Sequence, residues 1–83
     1  MLKIITFRSY TISALWTLVG HDRWSASYMV CDRGRRICHS SEVPMQSSPE
    51  LAESAALIAG CHYVEDHIKQ LRKTLIPQVA DDF

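Results

Sequence analysis

The chain has no net charge to speak of: nine Lys and Arg balance nine Asp and Glu across 83 residues. A nucleic-acid binder usually shows a basic excess, because much of its affinity comes from neutralising phosphates, so the overall composition argues against that class. Long apolar runs are missing as well. Nothing approaches the roughly 20 residues of a membrane span. The opening MLKIITFRSY is too short for a signal-peptide core and lacks a small-residue cleavage site. Cysteine is sparse and odd in number, and Cys31, Cys38 and Cys61 show no C-x-x-C spacing, which excludes a disulfide framework or zinc ribbon and fits a reducing compartment. A cytoplasmic protein, away from membranes, is the expectation.

The motifs of catalysis are also missing. There is no Gly-rich phosphate loop, no GxSxG and no HExxH. Four histidines, His21, His39, His62 and His67, invite a metal hypothesis that their spacing rejects. Cys38 and His39 are adjacent on an expected strand and point to opposite faces. His62 and His67 are five apart on an expected helix, not the i, i+4 that puts two imidazoles on one face. The bland account is one partly buried histidine, His39, and three at the surface. Cys61 falls on an apolar helix seam, where a free thiol behaves as a small hydrophobe. Cys38 is better exposed but has no identifiable base. Glu50, Glu53, Glu65 and Asp66 fall on solvent-facing helix positions rather than in a cleft. No catalytic residue, cofactor or metal site is expected, and the chain reads as a non-enzyme.

What is present is architecture. Residues 48–74 form a long amphipathic segment with no proline after Pro49. Ser48 can cap it, Pro49 has no N–H to lose, and Glu50 and Glu53 meet the positive end of the dipole. Leu57, Cys61, Val64, Ile68, Leu71 and Leu75 then recur at three and four, giving one apolar stripe. Before it, Tyr10, Ile12, Ala14, Trp16 and Leu18 alternate with more polar residues, Leu15 excepted, as do Trp24, Ala26, Tyr28 and Val30. If both sets face one core, Leu18 must pair with Trp24, Trp16 with Ala26 and Ala14 with Tyr28. A third strand follows a turn at Gly34, with Val30 facing Ile37 and with His39, Ser41 and Val43 on the core side. Residues 2–7 are β-favouring and could lead in or form a strand of their own.

The fold class is thus α+β: a three-stranded antiparallel sheet, four-stranded if residues 2–7 join it, followed by one long C-terminal helix on one face (βββα). A single domain is expected over 1–76, with 77–83 a frayed tail. At ~1.5 Å per residue the helix outruns the sheet, so its C-terminal part should overhang. Either Leu2, Ile4 and Phe7 cover the overhang, or Val64, Ile68, Leu71 and Leu75 drive helix self-association in a homodimer. The second is favoured, which makes the chain a protein-interaction module whose partner is itself or another protein. The alternative is a nucleic-acid-binding accessory protein using Arg23, Arg33, Arg35 and Arg36 at two hairpin tips. Glu50 and Glu53 at the helix start would repel phosphate and count against it.

With the Tyr10-Thr11-Ile12 strand start, the RWSASY strand from Arg23 to Tyr28 and the alanine-rich helix in place, the chain resembles a loose group of small uncharacterised bacterial βββα proteins. The resemblance spans 8–71 and implies the βββα order and a bacterial or phage origin. It carries no activity to transfer.

Overall fold

The computed structural model describes residues 1–75, and the side chains of all of these but Thr74 and Leu75. Four strands, β1 (Leu2–Phe7), β2 (Tyr10–Gly20), β3 (Arg23–Asp32) and β4 (Arg35–Ser40), form one antiparallel sheet in chain order. The helix α1 (Pro49–Leu75) follows and packs on one face. The fold is α+β, and Leu2–Phe7 is a full fourth strand. Ile76 and the tail expected over 77–83 lie outside the described residues.

Local chemistry explains each connection. β1 and β2 are joined by Arg8 and Ser9, at φ 51° and 72°, and β3 and β4 by Arg33 and Gly34, at φ 53° and 81°. Two central residues at positive φ give the turn whose twist matches the flanking strands. Gly34 advertises its turn, whereas Arg8-Ser9 adopts the same left-handed backbone with no glycine to mark it. The middle hairpin turns through His21 and Asp22, with Asp22 at φ 50° and a register shift between Leu18 and Gly20.

The β2–β3 register is the one that the alternation demands: Leu18 opposite Trp24, Trp16 opposite Ala26, Ala14 opposite Tyr28. The β3–β4 register is not. Val30 faces Cys38 rather than Ile37, and Tyr28 faces Ser40, because a bulge lies where Cys31 pairs with Arg36 and Val30 with Cys38. One extra residue in β4 reverses the parity beyond it. Cys38 and Ser40 therefore stand on the helix side, and His39, opposite Met29, turns to the open face and is exposed. Ile37 and Cys38 both reach the core. The chain then folds back along β3, where Trp24 and Gln46 exchange backbone hydrogen bonds of 2.8 and 3.0 Å.

Helix α1 starts as its residues dictate. The Leu51 N–H donates to the Ser48 hydroxyl at 3.2 Å, and Pro49 occupies the first turn. Its buried row is Ala52, Ala56, Gly60 and Val64, at strict i, i+4 spacing. These small residues let the axis approach the sheet, whose large side chains fill the space. Trp16 and Ala26 meet Ala52 and Ala56 in one cluster, and Tyr10, Ile12 and Val30 meet Val64 in another. Leu57, Cys61 and Ile68 flank the row. The Trp16 indole Nε1 is buried with no hydrogen-bond partner among the described residues. The helix thus runs from the β2–β3 turn towards the end that holds the other two turns.

Ile5 and Phe7, opposite Ile12 and Tyr10, share the helix side and pack against the second cluster. Leu2 and Ile4 do not cover the overhang, because they have the opposite parity and lie on the open face. No helix among the described residues is long and apolar enough to cross a membrane.

Candidate interaction surfaces

Four features of the surface and its margins bear on function. The first is the sheet face away from α1. Register places Leu2, Ile4 and Thr6 of β1, Thr11, Ser13, Leu15 and Thr17 of β2, and Ser25, Ser27, Met29 and Cys31 of β3 on it, with His39 and Arg36 from β4. Leu2, Ile4 and Leu15 are 57%, 58% and 41% exposed and adjoin one another across the β1–β2 pairing. No carboxylate or lysine interrupts them, and Ser13 at their centre is buried. A water-facing sheet normally carries charge; here Arg36 and His39 lie on the β4 side, and the β1–β2 corner is apolar. Leu15 was the sequence signal for this face, since it breaks the polar parity of β2. Leu2 and Ile4 needed the β1 register, which nothing before the Arg8-Ser9 turn specifies.

The second feature is the set of helix residues expected to self-associate. Val64 is fully buried against Tyr10, Ile12 and Val30, and Ile68 packs on the same cluster. Both are engaged inside the chain. Leu71 is 38% exposed, and the Leu75 side chain is not among those described. Leu51 and Ile58, seven residues apart on the outer side of α1, are each more than half exposed.

Charge is the third. Arg33, Arg35 and Arg36 sit together at the β3–β4 turn, but Arg23 pairs with Gly20 at the opposite end of the sheet, nine residues back along β3 from Asp32. In its place the structure brings Arg8, on the neighbouring β1–β2 turn, and Lys69, Arg72 and Lys73, on the helix end that points the same way. Arg8 pairs with Glu65 at 3.7 Å and lies over the Phe7 ring. Asp22, Glu42, Glu50 and Glu53 belong to the other end, where Lys3 pairs with Glu53 at 3.4 Å. Asp32, Glu65 and Asp66 also lie at the basic end and Lys3 and Arg23 at the other, so among the described residues the excess is positive at the first end and negative at the second. These exposed pairs contribute at most about 1 kcal/mol each.

The fourth is a titratable cluster. The bulge brings Cys38 beside Tyr28, Ser40 and Tyr63. The Tyr63 hydroxyl donates to the Ile37 carbonyl at 3.4 Å, and the His67 ring stacks on Tyr63 and meets Tyr10 edge-on. His67, not His39, is thus the partly buried histidine, while His21, His39 and His62 are exposed. Burial pushes the Tyr28 phenol up, and Cys38 adds to the rise, against a lowering hydrogen bond from Ser40. Burial likewise raises Tyr63, with Cys38 and Tyr10 contributing. Cys61 is raised by burial and then by the charge of Glu65. All three groups stay protonated at neutral pH, and the Tyr63 hydrogen bond to the Ile37 carbonyl ties β4 to α1. No group of three or more metal-ligating side chains converges among the described residues. Comparison with protein-family models, with curated proteins and with solved structures found no significant match, so the likeness to small bacterial βββα proteins rests on the strand and helix pattern alone.

Proposed function

We propose that the chain is a non-enzymatic protein-interaction module that works as a homodimer in the cytoplasm. The apolar corner of the open sheet face, where Leu2, Ile4 and Leu15 are exposed with no carboxylate or lysine among them, carries this reading. Setting a second copy against this corner removes apolar area from water without desolvating an ion pair. Three free cysteines fit a reducing setting. Sedimentation equilibrium from micromolar to millimolar concentration is the test. A dimer whose dissociation constant barely changes between low and high salt is expected, since apolar contacts are not screened. A monomer throughout that range refutes the reading.

The polarised charge supports a second reading, in which the basic end binds a nucleic-acid backbone. Arg33, Arg35 and Arg36 then act with Arg8 and the last turns of α1, and Arg23 takes no part. Replacing Arg33, Arg35 and Arg36 together by Ser should flatten the dependence of log affinity on log salt by about 2–3, near one unit per lost phosphate contact. Arg23→Ser should leave the slope as it was. If the triple variant binds a duplex oligonucleotide with an unaltered slope, the second reading is wrong.

A further inference from the structure

The hydrogen bonds at the start of β1 fix the direction of every backbone group along it. The Met1 amine donates to the Trp16 carbonyl at 3.0 Å, and the Trp16 N–H donates to the Met1 carbonyl at 3.1 Å. Met1 and Trp16 are therefore a bonded pair, and bonded pairs alternate with non-bonded ones in an antiparallel ladder. Counting along the register, Lys3–Ala14, Ile5–Ile12 and Phe7–Tyr10 are bonded, whereas Leu2–Leu15, Ile4–Ser13 and Thr6–Thr11 are not. The N–H and C=O groups of Leu2, Ile4 and Thr6 thus point away from β2. Because β1 is an outer strand of the sheet, they point over an open edge.

The two edges of the sheet are treated differently. The β4 side has a bulge, carries Arg35 and Arg36, and ends at Ser40, four residues before Pro44. These are the devices by which edge strands avoid pairing. β1, LKIITF, has no bulge in its register, no proline and no glycine, and it is rich in β-favouring residues. Its one ion, Lys3, has helix-side parity and is paired with Glu53. Helix α1 lies mainly over β2 and β3, so it does not shield this edge.

The outward positions are also self-complementary. Leu2, Ile4 and Thr6 are evenly spaced about Ile4, so a two-fold axis through Ile4 sets Ile4 against its own counterpart and Leu2 against Thr6 in both directions. All three pairs are then bonded pairs, each exchanging two hydrogen bonds. The same axis sets the exposed Ile4 side chains of the two copies side by side on the open face, with each Leu2 next to a Thr6.

We propose that two copies of the chain join by antiparallel pairing of β1 with β1, Ile4 opposite Ile4, to make one continuous eight-stranded sheet. The inference rests on the homodimer reading and supplies its edge and register.

Two variants test it in the full chain. Ile4→Pro removes an N–H that the chain's own ladder does not use, and proline is tolerated at such edge positions. The expected result is a halved mass in sedimentation with an unchanged circular dichroism spectrum. The second test places a cysteine at the dyad in a background where Cys31, Cys38 and Cys61 are Ser. A bonded pair sets its Cα atoms about 5.5 Å apart, within disulfide reach. Ile4→Cys should therefore oxidise to a covalent dimer under mild conditions. Leu2→Cys should not, since its counterpart stands four residues along the partner strand. A wild-type dimer that persists with Ile4→Pro and does not cross-link through Ile4→Cys overturns the edge pairing while leaving self-association intact. A wild-type chain that is monomeric throughout the concentration range overturns both.

Discussion

Replacing Ile12 by alanine is expected to cost about 3–4 kcal/mol, within the range for large-to-small changes at fully buried sites. Ile12 is completely buried in the central strand β2, between Ile5 on β1 and Val30 on β3, and beneath Gly60 of α1. Strands on both sides and the helix above wall the site, so the hole left by three lost carbons cannot collapse easily. A domain of this size has only a few kcal/mol of net stability. Urea unfolding should show a midpoint displaced to a small fraction of the wild-type value, or no folded baseline. Leu18→Ala on the same strand and parity should change stability by roughly 0.5 kcal/mol or less, because Leu18 lies beyond the helix and is 55% exposed. Equal losses from the two variants would mean that the core is not where this register puts it.

The contrast between Ile12 and Leu18 also marks how far the fold was legible from residues alone. Alternation fixed the β2–β3 pairing because two large rings, Trp16 and Tyr28, each needed a small partner, Ala26 and Ala14, and only one register supplies both. The helix start was equally legible, since Ser48, Pro49 and Glu50 each favour the first turn for a separate physical reason. β4 was not. A bulge adds one residue without changing composition, so the periodicity of Ile37 to Val43 gave the wrong face to Cys38, His39 and Ser40. The Arg8-Ser9 turn was hidden for a related reason: it takes a glycine-like backbone without glycine. From the sequence Arg8-Ser9 interrupts the strand without specifying a tight turn, so neither the outward parity of Leu2 and Ile4 nor the placement of Arg8 at the β3–β4 turn's end of the sheet follows from it. The expected basic group includes Arg23 and omits Arg8, whereas successive hairpin turns fall at opposite ends of the strand they share and alternate turns at the same end. The sequence leaves Val64 open to self-association for a different reason. A stripe at helical spacing has the same pattern whether a sheet or a second helix covers it.

Gly60 shows which covering the chain uses. A Cβ there would lie 2.6 Å from Ile12 Cγ2, and 3.5 Å from both Ile12 Cδ1 and Tyr28 Cδ2. The first distance is below any contact that packed carbons make. Cγ2 is a branch directly on the Ile12 Cβ, so it can move aside only by a change of χ1 that the surrounding strands resist. Gly60→Ala should therefore be destabilising: overpacking costs about 1–3 kcal/mol, against a gain of about 1 kcal/mol from removing a helix-interior glycine. Gly60→Val, with two further carbons in the same gap, should cost about 3 kcal/mol or more. The informative measurement is the double variant. With Ile12→Ala the obstructing carbon is gone, and Gly60→Ala then gains the helix term and fills part of the cavity. In that background it should stabilise by about 1 kcal/mol or more, a reversal of sign that only direct contact produces. Equal costs in the two backgrounds would show that Gly60 serves some need other than the close approach of α1 to β2. A reversal would fix the row Ala52, Ala56, Gly60 and Val64 as the surface that binds the helix to its own sheet, leaving self-association to the opposite face and the β1 edge.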